Sequence, residues 1–236
     1  MKALSIRFVN ARFRAAWGVA LFAMFSCSCE KDPATPGLGS NVERISLLLD
    51  YEAGYGGYVY PVHNPYVFFK DGRYVKEPKI PVNELNLDAL TTEQAVNWGT
   101  WKRSGSDVIL TNRDGDDSEK EWPGAQAFAA KKGESLSGAF GSISGGGNLA
   151  VGGTVGVISY SSMTFTPDGW FTNEKLGGGT NSDHSAFSRQ TSAGRYELDG
   201  YTITLNFNNG DTKRFFFCYY GEDKQVFRLS GRTYTN

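Results

Sequence analysis

Side chains able to do chemistry are few in this 236-residue chain, and they are scattered. Only two histidines occur. His63 stands in Val62-His-Asn-Pro65, a turn setting, and His184 stands in Ser182-Asp183-His184-Ser185. A nucleophile, a base and an orienting acid must converge from separate elements beside an oxyanion hole, which three neighbours on one loop seldom achieve. A solvated loop is therefore expected at Ser182, Asp183 and His184, with an envelope hydrolase as the competing reading. Asp114-Gly-Asp-Asp-Ser-Glu119 gathers carboxylates as a calcium loop does, yet it lacks the sixth-position Gly and the terminal bidentate Glu of an EF-hand. Asn209-Gly-Asp211 repeats its turn chemistry elsewhere, so a plain turn is expected in both places. Two histidines and three cysteines supply no zinc set, and no phosphate-cradling glycine pattern occurs. Among 25 acidic residues nothing singles out a catalytic pair. The reading is a non-enzymatic protein with no metal and no cofactor.

The remaining chemical signal is aromatic. Tyr51, Tyr55, Tyr58 and Tyr60 crowd one stretch together with Tyr66, Phe68 and Phe69, and Phe215 to Tyr220 are apolar at every position. A strand apolar on both faces needs a covering element, a partner or a ligand. Tyr51, Tyr55, Tyr58, Tyr60, Phe216 and Tyr220 are therefore the candidate ligand-binding residues, for a small apolar ligand or, through tyrosine platforms, a glycan. The competing reading makes them core residues beneath a short helix. Cys218, inside the apolar run, is expected to be buried and inert.

Charge and composition narrow the classes further. Lysine and arginine number 24 against 25 acids, a net charge of −1, which leaves no positive excess for nucleic acid. Glycine, at 29 residues, is well above average use and accompanies 14% aromatics, a mixture suited to short strands and tight turns.

The first 28 residues read as a lipoprotein signal peptide. Lys2, Arg7, Arg12 and Arg14 form a positive segment, Ala15 to Phe25 an apolar one, and Ser26-Cys27-Ser28-Cys29 follows. The apolar run is about half of the roughly 20 residues that a membrane span needs. A small residue before a cysteine resembles a lipobox, which makes Cys29 the preferred lipidated residue. Cys27 is the alternative, although bulky Phe25 stands where that motif takes a small side chain. Cys29-Glu-Lys-Asp32 resembles the acidic-and-lysine tag of Bacteroidota surface lipoproteins. That resemblance places the protein in the cell envelope, lipid-anchored to the outer membrane and exposed at the surface. An ordinary signal peptide cut nearby is the competing reading. Residues 29–41, rich in Pro and Gly, read as a flexible tether.

From residue 42 onward the chain carries an internal duplication. Gly99 to Asp116 aligns without a gap on Gly194 to Asp211, with five identities, three of them glycines. Phe68 to Tyr74 matches Phe165 to Phe171 upstream, and Leu136-Ser-Gly138 matches Leu229-Ser-Gly231 downstream. Each unit is punctuated as hairpins are: Asp71-Gly72 and Asp168-Gly169, then Gly105 and Gly200, then Asp114-Gly115 and Asn209-Gly210. Tyr201 to Phe207 alternates apolar and polar residues as a strand with one buried face must. The two units span approximately residues 42–132 and 133–236. Thr91-Thr-Glu-Gln94 before Ala95 has the form of a capping box and predicts one short helix. Leu176 to Ser185 reads as a mobile polar loop, and Gly145-Gly-Gly147 with Gly152-Gly153 as a flexible connection between meanders.

The sequence Gly194-Arg-Tyr-Glu-Leu-Asp-Gly-Tyr-Thr-Ile-Thr-Leu205, together with Phe165 to Phe171 and the echo at Gly99-Thr-Trp101, resembles the small lipocalin-like domains of bacterial lipoproteins. The resemblance covers about 70 residues of the second unit and less of the first. It implies an up-and-down antiparallel barrel with room for a small apolar ligand, and it carries over no catalytic residue. The doubling departs from that family. The expected fold is all-β, an antiparallel meander or barrel from two related halves with one short helix. A single barrel of roughly ten to twelve strands is preferred, and two small packed β-domains are the alternative. The expected function is lipid-anchored binding of a small apolar or amphipathic ligand. The alternative is a surface module for glycans or another envelope protein.

Overall fold

The computed structural model describes residues 38–181 and 184–236. The signal peptide, Cys27, Cys29 and the tether up to residue 37 lie outside the described residues, as do Ser182 and Asp183.

Among the described residues fifteen strands form two antiparallel sheets, one from each half of the chain. The first half contributes β1 (Val42–Ala53), β2 (Val59–Phe69), β3 (Arg73–Pro78), β4 (Ala95–Ser104), β5 (Asp107–Asn112), β6 (Asp117–Glu121) and the two-residue β7 (Ala125–Gln126). They pair in the order β6-β5-β4-β3-β2-β1-β7, a curled sheet that does not close. The second half contributes β8 (Gly138–Gly147), β9 (Gly156–Phe165), β10 (Trp170–Thr180), β11 (Ser185–Asp199), β12 (Thr202–Phe207), β13 (Thr212–Tyr219), β14 (Val226–Leu229) and β15 (Arg232–Thr235). These eight close into a barrel. The all-β meander from two related halves is thus present. A single barrel of ten to twelve strands is not, because each half curls around its own core.

The duplication is visible in the backbone. Trp101 donates its N–H to the Gly72 carbonyl at 2.8 Å, and Tyr196 donates to Gly169 at 2.9 Å. A Cβ on Gly99 would lie 1.9 Å from the Thr111 oxygen, and one on Gly194 would lie 2.0 Å from the Asn206 oxygen. Both glycines therefore allow the same close approach of neighbouring strands. The downstream match does not correspond in space. Leu229-Ser-Gly231 makes the β14–β15 turn, whereas Leu136-Ser-Gly138 leads into β8.

The β14–β15 hairpin is also what closes the barrel, since it links β13 to β8. At the corresponding place the first half has only β7, which pairs with β1 and not with β6. There Lys120 of β6 substitutes for the missing ladder, its ammonium donating to the Leu49 carbonyl at 2.8 Å and to Asp50 Oδ1 at 2.7 Å on β1.

Three cores follow from strand alternation. Leu48, Phe68, Tyr74, Val108 and Leu110 fill the concave side of the first sheet with Trp101 and Trp122. Phe140, Phe165, Phe171, Tyr196, Phe217, Tyr219 and Phe227 fill the barrel. Between the sheets, Ile45, Leu47, Val67, Phe69 and Val75 pack on Tyr201, Phe216 and Cys218. The apolar run on β13 is explained by its position: Phe217 and Tyr219 point into the barrel, and Phe216 and Cys218 point out beneath the first sheet. The cover is that sheet rather than a helix.

No α-helix occurs among the described residues, only 3-10 turns. The capping-box residues do make the contact of that motif, the Thr91 N–H donating to Gln94 Oε1 at 3.3 Å. They close a single turn, because Ala95 is already fully buried in β4 while Val96 is exposed, an alternation of period two. The expected mobile loop at 176–185 is corrected too: β10 and β11 continue through it to Thr180 and from Ser185. Gly145-Gly-Gly147 is not a flexible connection but the end of β8, and Gly152-Gly153 lies in the turn before β9. A Cβ on Gly145 would lie 2.9 Å from the Tyr55 Cα, and one on Gly156 would lie 2.9 Å from the Tyr55 ring. Glycine at these positions lets the β1–β2 turn seat directly on the β8–β9 hairpin.

Candidate functional site

Alternation along β9 to β13 determines what faces the barrel interior. At one end the inward residues are large and aromatic, with Phe165 and Tyr196 centroids 4.9 Å apart and Phe140 and Phe227 5.0 Å apart. This end is solid. Toward the other end the inward positions change to Asn173 and Lys175 on β10, Gln190 and Ser192 on β11, and Lys213 on β13. Here the rings give way to a cavity of about 290 Å³. Its floor is apolar, made by Met163, Leu205, Phe207, Phe215 and Leu229, and its rim carries Lys175, Lys213 and Asp211. Lys213 holds its ammonium 5.9 Å from the centre of the Phe207 ring. The volume falls near the lower bound of roughly 300 Å³ for small-molecule pockets. Such a cavity suits a short apolar body with a polar or anionic head.

The candidate residues separate into three environments. Tyr51 and Tyr58 are 69% and 63% exposed at the far end of the β1–β2 hairpin. Tyr55 rests on Gly156, with one face still open to solvent. Phe216 is fully buried between the sheets, where its ring stacks on Tyr201 at an interplanar angle of 2°. Its burial makes it a packing residue rather than a ligand contact. Tyr60 and Tyr220 come together on the wall of a second cavity, between β2 and the barrel. The Tyr220 hydroxyl donates to the His63 carbonyl at 2.7 Å, and burial pushes it above the ordinary phenol value.

The groups considered for catalysis and metal binding have ordinary surroundings. Cys218 is buried, and burial raises its thiol to about 12, so it is an inert thiol. His184 is an exposed turn residue whose N–H donates to Asn181 Oδ1 at 2.8 Å. In the acidic run, Asp114 and Asp116 each donate their N–H to Asn112 Oδ1 at 2.9 Å, and Asp117 accepts from the Thr111 hydroxyl at 2.7 Å. These bonds belong to a turn. Among the described residues no three His, Cys, Asp or Glu side chains are grouped to hold a metal ion.

Two polar features escaped the sequence reading. The first is Asp50, buried inside the first sheet, where it accepts from Lys120 at 2.7 Å, Tyr66 at 2.9 Å and Asn64 at 3.1 Å and pairs with Lys76 at 2.9 Å. Burial works to raise its carboxyl, but bonds from Lys120, Lys76 and Tyr66 outweigh burial and hold it below its ordinary value. A depressed folded-state pKa contributes stability that is present above the unfolded value of about 3.9 and is lost as pH falls through the folded one. Asp50→Asn is therefore expected to lower stability at pH 7 by about 1.5–3 kcal/mol and to flatten the acid-side decline. Urea midpoints across the acid range check this, and an unchanged pH slope would refute it. The second feature is Arg228 with Arg232. Its one sequence signal is a charge inside Val226-Phe-Arg-Leu229, a short apolar strand.

No known family model matches the chain, and neither a curated protein nor a solved structure matches it.

Proposed function

We propose that the chain is a non-enzymatic binding protein of the cell envelope. In this reading a lipid on Cys29 holds it to the outer membrane, and the mouth of the eight-stranded barrel receives a small amphipathic ligand. The supporting observation is the change of lining along the barrel axis, from packed rings at one end to a cavity of about 290 Å³ with an apolar floor and Lys175, Lys213 and Asp211 at its rim. The packed rings leave no depth for a long acyl chain. The ligand of this reading is short, its apolar part against Met163, Leu205 and Phe207 and its anionic or polar head at Lys175 and Lys213.

A second reading, binding through the outer surface, draws on Tyr51, Tyr58, Ile143 and Phe187, all more than 60% exposed. Tyr55 seated on glycine backbone gives that surface a rigid support. Mass spectrometry of protein extracted from membranes tests both readings. The expected result is a diacylglyceryl mass that disappears in Cys29→Ser, and a retained small molecule that disappears in Ser192→Trp, which fills the mouth. A protein that carries no ligand and binds no small amphipath would sink the barrel reading and leave the exposed tyrosines as the binding surface.

A further inference from the structure

The barrel has one weak seam. β15 and β8 share a single pair, Thr235 with Gly141, whereas β8 and β9 share ten. Beside that seam the β1–β2 hairpin of the first half covers a cavity of about 370 Å³. Arg228 and Arg232 line it from the barrel, and Glu52 and Tyr60 line it from the hairpin.

The donors here are incompletely used. Arg228 is 4% exposed; it donates from Nη1 to Thr233 at 2.8 Å and from Nη2 to Glu77, and its buried Nε has no partner. Arg232 donates from Nη2 to the Ser159 hydroxyl at 2.7 Å, and its buried Nη1 has no partner either. Buried guanidinium N–H groups are costly to leave unpaired, and two of them belong to side chains lining one cavity.

The charges around the cavity define what would satisfy them. Arg228 is balanced by Glu77. Arg232 has no carboxylate partner among the described residues, and Glu52, which adds to the negative field on Arg228, takes its one hydrogen bond there from the Asn64 amide at 2.7 Å. A simple anion would face Glu52, and a simple cation would face Arg232. A small molecule carrying one charge of each sign meets both.

We propose that this cavity binds an amino-acid-type zwitterion, separately from any ligand in the barrel mouth. Its carboxylate pairs with the guanidinium of Arg232, which lines the cavity beside Arg228, the planar match that guanidinium favours. Its ammonium meets Glu52, and its carbon chain lies against Tyr60, Val62 and Val226.

The test is calorimetric titration of the folded protein with the twenty free amino acids, then with the amide and the deaminated acid of the best binder. Saturable binding is expected for the amino acid, weakened ten-fold or more in both analogues, because each lacks one charge. Arg232→Gln and Glu52→Gln should each weaken it ten-fold or more while the melting temperature stays near that of the wild type. If Arg232→Gln fails to fold, Glu52→Gln alone decides. No binding at millimolar concentration, an amide that binds equally well, or affinity unaffected by the folded variants would overturn the proposal. Failure of the barrel-mouth reading would leave this result unchanged, since the two sites share no lining residue.

Discussion

Glu77→Gln is expected to remove about 3–5 kcal/mol of folding stability, although it changes one atom type and no volume. Glu77 lies on β3 of the first half and pairs with Arg228 on β14 of the barrel, their side chains 6% and 5% exposed. Burial works against the charge of Arg228, and Glu77 is the chief group that offsets it. Without the carboxylate, a guanidinium stays buried with an uncompensated charge. Glu77 is also held at φ 49°, a left-handed conformation that costs a side-chain-bearing residue roughly 1–2 kcal/mol. Because a buried ion pair is often no better than apolar residues of the same size, the double variant Glu77→Gln/Arg228→Met should recover at least half of the loss. Urea unfolding checks both, and a single-variant loss below about 1 kcal/mol would show that the pair does not tie the halves together.

The sequence carries the turns more clearly than the topology. Asp71-Gly72, Asp168-Gly169 and Asn209-Gly210 stand where hairpins form, because positive φ demands particular residues and leaves a local trace. Closure leaves no such trace. Whether a meander closes depends on the hairpin after its sixth strand, and Val226 to Thr235 differs from the single short β7 in length rather than in any motif. Phe215 to Tyr220 announced that something must cover both faces of β13, but a pattern on one strand does not name its cover. The glycines misled in a consistent way. Gly145 read as flexible because composition records the missing side chain, and not the Tyr55 backbone that occupies its place. The candidate sites were legible in proportion to how local they are. Tyr60 and Tyr220 were visible as aromatics, while Arg228, Glu77, Arg232 and Glu52 come together only when residues from 52 to 232 are folded onto one seam.

Gly99→Ala and Gly194→Ala should each cost about 3 kcal/mol, and should do so through one shared transition. The cause in both cases is contact rather than conformation. Neither glycine has the left-handed backbone that penalises other residues, yet a Cβ would lie 1.9 Å from the Thr111 oxygen or 2.0 Å from the Asn206 oxygen. Those atoms belong to the adjacent strand, so relief requires moving a ladder and not a side chain. Gly105→Ala supplies the contrast: its φ is 64° with nothing within 4 Å of the new Cβ, so only strain of roughly 1 kcal/mol is expected. The two substitutions act in different halves, and the order of unfolding therefore reports how the halves are joined. Ile45, Leu47, Val67, Phe69 and Val75 share one core with Tyr201, Phe216 and Cys218, which Val82, Ala95 and Ala127 help to complete, and a melted first sheet would uncover the barrel side of that core at once. At about 1.5–3 kcal/mol for each large apolar side chain, neither half keeps its outer face covered alone. Calorimetry of the two variants should give one peak shifted downward by a similar amount in each. Two separated peaks, with only the substituted half shifted, would refute the single cooperative core and make the seam between the sheets a docking surface between independent domains.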